Sequence, residues 1–135
     1  MILHAFTDGA SRGNPGDSGI GVIVRNENGQ VILSLNGYIG ISTNNKAEYS
    51  ALVTLLKKMK DIDCTRLVVH SDSELMVRQV NGQYKVKDQE LKQYYQKVIR
   101  LLSKIPFEFE LRHIPREQNR EADRLANLGI ETKKR

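Results

Sequence analysis

The sequence contains no tryptophan and only one cysteine, and its apolar runs are a few residues long. The single cysteine, Cys64, excludes an intrachain disulfide framework and a cysteine-rich zinc site, and we interpret it as a half-buried apolar side chain. The short apolar runs predict no segment that spans a bilayer. Residues 1–4 lead directly into a strand, without the basic and apolar regions of a secretory signal. We therefore expect a cytoplasmic protein.

Positive charge is in moderate excess. Lys and Arg number 21 against 16 Asp and Glu, which gives a net charge of +5. Such a surplus suits a polyanionic partner, because neutralised phosphates release counterions, although many ordinary domains carry a similar charge. The 135 residues fit one compact domain. We expect that domain to span residues 1–129 and residues 130–135 to form a flexible basic tail.

The order of secondary-structure signals predicts an α/β fold. Three strands come first, joined by turns that include an Asn-Gly pair. Helical periodicity then alternates with two further strands. The predicted strands are 2–7, 19–25, 31–39, 67–70 and 107–112, and the predicted helices are 44–60, 73–80, 89–103 and 119–128, with Gly129 as the cap of the last. The expected product is a mixed five-stranded sheet, three strands antiparallel and then two parallel, with helices on both faces.

Four acidic residues lie at positions of the predicted fold where a functional site can form. Asp8 follows the first predicted strand, Asp72 follows the fourth, Glu48 lies early in the first helix and Asp123 lies in the last helix. Taken singly, Asp8 can be a turn residue and Asp72 a helix cap. Glu48 can be a favourable charge near a helix N-terminus, and Asp123 an exposed charge. If strands one and four are parallel neighbours, all four can converge, and such a cluster suits two divalent cations. Zinc fits less well, because no His or Cys cluster is present.

Four motifs carry a resemblance to a known family. They are Thr7 to Gly16 (TDGASRGNPG), Ser42 to Glu48 (STNNKAE), Ser71 to Ser73 (SDS) and His113 to Asp123 (HIPREQNREAD). In this order the chain resembles the type 1 ribonuclease H family over nearly its whole length. The resemblance implies a ribonuclease H-like fold and an endoribonuclease that hydrolyses the RNA strand of RNA–DNA hybrids by two-metal-ion catalysis, with little sequence specificity.

The same resemblance implies residue roles. Asp8, Glu48, Asp72 and Asp123 match the family's metal-binding carboxylates, which hold two Mg²⁺ ions, with Mn²⁺ as a substitute. Glu48 would also orient the attacking water or contact a 2′-hydroxyl. His113 matches the family's mobile histidine, thought to assist proton movement or product release, a task that suits an imidazole. The alternative for His113 is an exposed loop residue.

Substrate contacts are implied at five positions. Asn14, Asn44 and Asn45 resemble family residues that contact the hybrid backbone and minor groove, and Thr43 resembles part of a pocket for a DNA phosphate. Arg12 would add a cationic contact. The implied partner is an RNA–DNA hybrid, double-stranded RNA remains open as a second substrate, and we expect a monomer that does not associate with membranes.

Two departures from the family pattern bear on affinity. The basic, tryptophan-rich segment that some members carry after the second helix is missing, since residues 82–90 hold only Lys85 and Lys87 as cations. Other cations, such as Lys57, would have to compensate, or binding would be weaker. In addition, Glu74 stands where many members have glutamine, and an acid there would repel phosphate or bias metal occupancy.

Two other functions remain open at this stage. One is a binding module for hybrids or double-stranded RNA that performs no chemistry, which the intact set of four acids disfavours. The other is a different nuclease of the same superfamily, such as a recombinase core, for which cleavage of duplex DNA would speak.

Overall fold

A computed structural model of the chain describes residues 1–134. Five strands and four α-helices form the domain, with two short 3₁₀ helices in addition. The strands are β1 (Ile2–Arg12), β2 (Gly16–Arg25), β3 (Val31–Ser42), β4 (Arg66–Ser71) and β5 (Glu108–His113). The helices are α1 (Asn44–Met59), α2 (Glu74–Val80), α3 (Gln89–Leu102) and α4 (Arg120–Glu131).

The sheet has the mixed topology that the sequence predicts. Its strand order is β3-β2-β1-β4-β5. The β1–β2 and β2–β3 pairs are antiparallel, and the β1–β4 and β4–β5 pairs are parallel. The three consecutive strands at one edge therefore form a meander, and β1 is the central strand through which both halves of the sheet are joined.

Helices cover both faces of the sheet, and the position of two glycines on β1 and β2 makes this clear. A Cβ atom on Gly9 would lie 2.2 Å from the carbonyl carbon of Ala47 in α1. A Cβ on Gly21 would lie 2.3 Å from the carbonyl oxygen of Ala122 in α4. Gly21 pairs with Asp8, the neighbour of Gly9, and successive residues of a strand point to opposite faces. Helices α1 and α4 thus approach the sheet closely from opposite sides.

The main core lies between the sheet and α1. Alternate residues of β1, Leu3 and Ala5, are fully buried there, together with Leu67 and Val69 of β4. The apolar stripe of α1 packs over them, and α2 and α3 close the outer side. Cys64 is half-buried against this core, and burial raises the pKa of its thiol, which is the apolar role expected for it.

Four predicted boundaries are wrong by three residues or more, and two of them are the start of β2 at Gly16 rather than residue 19 and the end of β3 at Ser42 rather than residue 39. The turn-like stretch after Thr7 does not end β1, because antiparallel pairing with β2 continues to the Arg12–Asp17 pair. The last helix does not end at a Gly129 cap, because α4 continues to Glu131, with Gly129 buried against the backbone of Gly37.

The structure describes most of the segment expected to form the C-terminal tail. Residues 130 and 131 belong to α4, and Thr132–Lys134 forms a 3₁₀ turn, while Arg135 lies outside the described residues. Across the described part of the chain, none of the helices is both long enough and apolar enough to cross a membrane.

Candidate active site

Two of the four acidic residues meet because of the register of the central parallel pair. The last residue pair of the β1–β4 ladder is Thr7 with Ser71. Asp8 and Asp72 each follow that pair by one residue, so both lie where the two strands separate. Asp8 remains within β1, because it still pairs with Gly21 of β2. Parallel strands that end together present the residues beyond them at one edge of the sheet, and here both of those residues are carboxylates.

Glu48 reaches the same point from helix α1. The helix begins after Thr43, whose hydroxyl accepts a hydrogen bond from the Lys46 amide as an N-cap. One turn further on, the Glu48 side chain is 8% exposed, and its Oε1 accepts a hydrogen bond from the Gly9 amide at 2.9 Å. One carboxylate oxygen from each of Asp8, Glu48 and Asp72 lies within 4.8 Å of the other two.

Asp123 approaches this triad from the first turn of α4. Its carboxyl contacts that of Asp8, which adds to the rise in the pKa of Asp8. The Asn127 side chain donates a hydrogen bond to the Asp123 carbonyl at 3.0 Å. Asp8, Asp72, Asp123 and Asn127 line a cleft of about 420 Å³, which we call the acid cleft. The structure therefore brings all four predicted acids together, three of them in the tight group and Asp123 on the adjoining wall.

The converging carboxylates raise the pKa of Asp8 and of Glu48. Burial is the main reason that the pKa of Asp8 rises to about 8, and the charge of Asp72 is the next largest cause. Burial also raises the pKa of Glu48, with the charges of Asp8 and Asp72 adding to the effect. A cluster of this kind is costly in its ionised form unless a cation lies between the carboxylates.

The donor set fits a hard divalent cation. The three closest groups offer oxygen ligands only, and Mg²⁺ and Mn²⁺ prefer oxygen to nitrogen or sulfur. Two buried polar atoms beside the triad, Thr7 Oγ1 and Asn119 Oδ1, have no hydrogen-bond partner among the described residues. The acid cleft thus has the composition expected of a site for a hard divalent cation.

Asn119 is a site residue that the sequence reasoning missed. Its amide nitrogen donates to the Thr7 carbonyl at 2.9 Å and to Asp72 Oδ2 at 3.2 Å, and the residue is 1% exposed. It lies just before α4 and connects β1, the residue after β4, and the helix that carries Asp123. Its place inside the fourth motif was a signal, but only the fold shows that it contacts Asp72.

Four of the five predicted substrate residues cluster beside the acid cleft. Asn14 Oδ1 accepts from the Asn44 amide, and Asn44 Oδ1 accepts from the Ser11 amide, each at 3.1 Å. Asn14, Thr43, Asn45 and Lys46 line a second cleft of about 420 Å³, whereas Asn44 lines the acid cleft itself. The asparagines thus tie the β1–β2 connection to the start of α1.

Comparisons with known proteins agree with this geometry. The family described as "Reverse transcriptase-like" matches residues 6–129. The crystal structure of RNase H1 from Halobacterium salinarum has a TM-score of 0.92 at 32% identity, over 98% of this chain and 99% of that chain. LC11-RNase H1, solved in complex with an RNA/DNA hybrid, has a TM-score of 0.91 at 40% identity, over 98% and 99% of the two chains. The chain belongs to the ribonuclease H family.

Relatives of this ribonuclease H domain differ in length. Ribonuclease HI of Halobacterium salinarum is 33% identical over 129 residues, which cover 96% of this chain and 64% of that protein. The bifunctional protein Rv2228c of Mycobacterium tuberculosis is 39% identical over 135 residues, which cover 97% of this chain and 35% of that protein. The chain thus spans less than two thirds of either relative.

The structure also gives the positions of three residues singled out in the sequence of this ribonuclease H domain, His113, Arg12 and Glu74. His113 is the exposed last residue of β5, where it pairs with Ser71, rather than a loop residue. Arg12 forms an ion pair with Glu131, the last residue of α4, at 2.5 Å. Glu74, in the first turn of α2, is exposed and lies 3.4 Å from Arg78.

The missing basic segment corresponds to a short connection between α2 and α3. Only residues 81–88 separate these helices, and they contain no helix of their own. Arg78 lies over the ring of Tyr84, 5.4 Å from its centroid. A further cation, Arg116, follows β5 and lines the acid cleft, a position that the sequence reasoning did not single out.

Proposed function

We propose that this chain is a metal-dependent endoribonuclease that hydrolyses the RNA strand of RNA–DNA hybrids, with two Mg²⁺ ions in the acid cleft and Mn²⁺ as a substitute. The observation that carries the proposal is the convergence of Asp8, Glu48 and Asp72, whose oxygens lie within 4.8 Å of one another. Buried like charges at this distance have a clear use when they bind cations that in turn bind a phosphate.

The acids and their neighbours would act as a preorganised ligand set. Asp8, Glu48, Asp72 and Asp123 would hold the ions. When bound, such ions polarise the phosphate and lower the pKa of an attacking water. The Gly9 amide keeps Glu48 directed into the cluster, and the hydrogen bond from Asn119 holds one oxygen of Asp72. These contacts come from backbone and buried groups, so the ligands need little rearrangement on binding.

The hybrid would lie across both clefts. Asn14, Thr43, Asn44 and Asn45 lie beside the acids, and their amide and hydroxyl groups suit contacts to sugars and phosphates. Contacts to a 2′-hydroxyl would select RNA in the cleaved strand, and backbone contacts without base readout would leave the enzyme with little sequence specificity. Arg12 would add a cationic contact only if it exchanged its partner Glu131 for a phosphate, and His113 would assist proton movement or product release from the end of β5.

The same proposal includes the compartment, the oligomeric state, the extent of the domain and the preference between substrates. We place the activity in the cytoplasm, where a single cysteine such as Cys64 stays reduced, and we take the monomer as the active form. One domain, residues 1–129, would carry the activity. Cleavage of double-stranded RNA would be weaker than cleavage of hybrids, because the second strand would then present 2′-hydroxyls to groups suited to DNA.

A panel of substrates tests the function. End-labelled RNA–DNA hybrid, duplex RNA and duplex DNA are incubated with the protein, with Mg²⁺ or with EDTA. We expect cuts in the RNA strand of the hybrid with Mg²⁺ and none with EDTA. Binding of the hybrid without any cut in Mg²⁺ or Mn²⁺ would identify a binding module instead. Cleavage of duplex DNA would identify a different nuclease of the superfamily.

A further inference from the structure

A cluster of positively charged side chains lies away from the acid cleft, at the C-terminal ends of α1 and α3. The stretches 57–60 and 97–104 contain six Lys or Arg and no acid, while the whole chain has a net charge of +5. The side chains of Lys57, Lys97, Arg100 and Lys104 line one groove of about 180 Å³ together with Leu101. We call the groove lined by these four cations the basic groove.

The groove forms because α1 and α3 run in the same direction. Near their N-terminal ends, Lys46 of α1 forms an ion pair with Glu90 of α3, and Lys57 meets the last turns of α3 at the other end. Lys97 and Arg100 are three residues apart on one face of α3, and Lys104 lies two residues beyond the end of that helix. At 1.5 Å per residue, Lys57 lies about 14 Å along α1 from Glu48.

These cations have no partner within the described part of the protein. None of the four side chains takes part in the hydrogen bonds or ion pairs of residues 1–134, and all four are exposed. Cations in the last turn of a helix offset its dipole, which accounts for single residues such as Lys57 and Arg100. It does not account for four cations that converge on one groove without an acid among them.

We propose that the basic groove binds the phosphate backbone of a nucleic-acid segment outside the acid cleft. The choice of nucleic acid as the polyanion rests on the proposed function, and the groove favours it on its own account. Phosphates require cations and little else, whereas an acidic peptide would need apolar contacts that a single lining leucine does not supply. The contact would hold the protein on long substrates and partly replace the missing basic segment.

The test uses a variant that removes charge and a control that keeps it. Lys97→Gln/Arg100→Gln/Lys104→Gln is compared with Lys97→Arg/Lys104→Arg and the wild type. Binding of a duplex DNA of about 30 base pairs is measured by fluorescence anisotropy in EDTA over a series of salt concentrations. We expect the Gln variant to raise Kd about tenfold at low salt and to lower the salt slope by about 2 to 3, with the Arg control near wild type. An unchanged Kd and slope would overturn the proposal.

Cleavage supplies the second readout. With Mg²⁺, the Gln variant should raise KM for a hybrid of about 30 base pairs and change kcat/KM far less for one of about 8 base pairs, because at about 3.4 Å per base pair the short duplex extends no more than about 14 Å from a cut at its centre. An equal loss on both hybrids would overturn the proposal, because it would place the cations in the path of the duplex at the acids. If the wild type cut no hybrid at all, the proposed function would fail, and the DNA-binding arm would still decide the role of the groove.

Discussion

The amide of Gly9 donates a hydrogen bond to Glu48 Oε1 at 2.9 Å, and this one contact joins the central strand to the first helix at the acid cleft. It requires the backbones of β1 and α1 to approach so closely that no side chain fits between them. A Cβ on Gly9 would lie 2.2 Å from the Ala47 carbonyl carbon and 2.3 Å from the Glu48 nitrogen. The position of Glu48 therefore depends on a glycine at position 9.

Replacing Gly9 by alanine should displace α1 from the sheet. Because the clash is with backbone atoms, we expect a loss of about 3 kcal/mol in the free energy of unfolding, measured by urea denaturation. Gly37→Ala is the matched control, since a Cβ there would meet only Ile20 Cγ1 at 3.9 Å. Equal stability of the Gly9→Ala and Gly37→Ala proteins would show that β1 and α1 are not held at this distance.

The acid cluster should make the metal-free protein less stable as the pH rises. Burial and neighbouring charge raise the pKa of Asp8 from 3.8 to about 8, so the folded state favours the protonated carboxyl. That stabilisation is complete below the unfolded-state pKa and is lost as the pH rises through the folded-state value. In EDTA, Tm should therefore fall between about pH 5 and about pH 8.

Asp8→Asn should remove much of this pH dependence, because it removes one of the interacting charges and lowers the repulsion on Glu48. At about pH 8 we expect its Tm in EDTA to exceed that of the wild type by about 5 °C. Identical Tm profiles for the two proteins across this range would contradict the electrostatic account of the cluster.

Divalent cations should reverse the destabilisation in the wild type alone. A ligand that binds only the folded state raises stability by mass action, and it would occupy the position where the carboxylates repel. Adding Mg²⁺ at about pH 8 should raise Tm of the wild type by several degrees and leave Asp8→Asn nearly unchanged. The same rise in both proteins would mean that the ion binds elsewhere.

Sequence patterns predicted much of the fold, for identifiable reasons. Alternation and turn signals located all five strands, whereas the parallel pairing of β1 and β4 was only a condition for the predicted acid cluster and became known from the fold. The boundaries at Thr7 and Gly129 were wrong, because sheet pairing and close helix contact overrode the turn-forming tendency of glycine. Local patterns say nothing of such long-range contacts.

The candidate site was predictable to a similar degree. The four acids stand in motifs and were identified as a set, but the contacts of Asn119 join residues 112 and 47 positions apart, a distance that no local signal covers. For Arg12, the motif implied a substrate contact, whereas in the fold its side chain forms an ion pair with Glu131.

Asn119 should be needed both for stability and for the position of Asp72. Asn119→Ala removes the donor to the Thr7 carbonyl and to Asp72 Oδ2, and it leaves a buried carbonyl without its partner. We expect a loss of about 2 kcal/mol in the free energy of unfolding, measured by urea denaturation, and a fall in kcat of at least about tenfold at temperatures where the protein is folded. Replacement of the nearby exposed Gln118 by alanine serves as the control and should change neither quantity.

Asp8 and its neighbouring acids are proposed to hold the cations that catalyse RNA hydrolysis. Cleavage of an end-labelled hybrid by wild type and Asp8→Asn tests that proposal most directly. With Mg²⁺, the wild type should cut the RNA strand and leave 5′-phosphate and 3′-hydroxyl ends, while Asp8→Asn, folded by circular dichroism, should leave the hybrid intact. Cleavage of the RNA strand by Asp8→Asn at the wild-type rate would contradict the account.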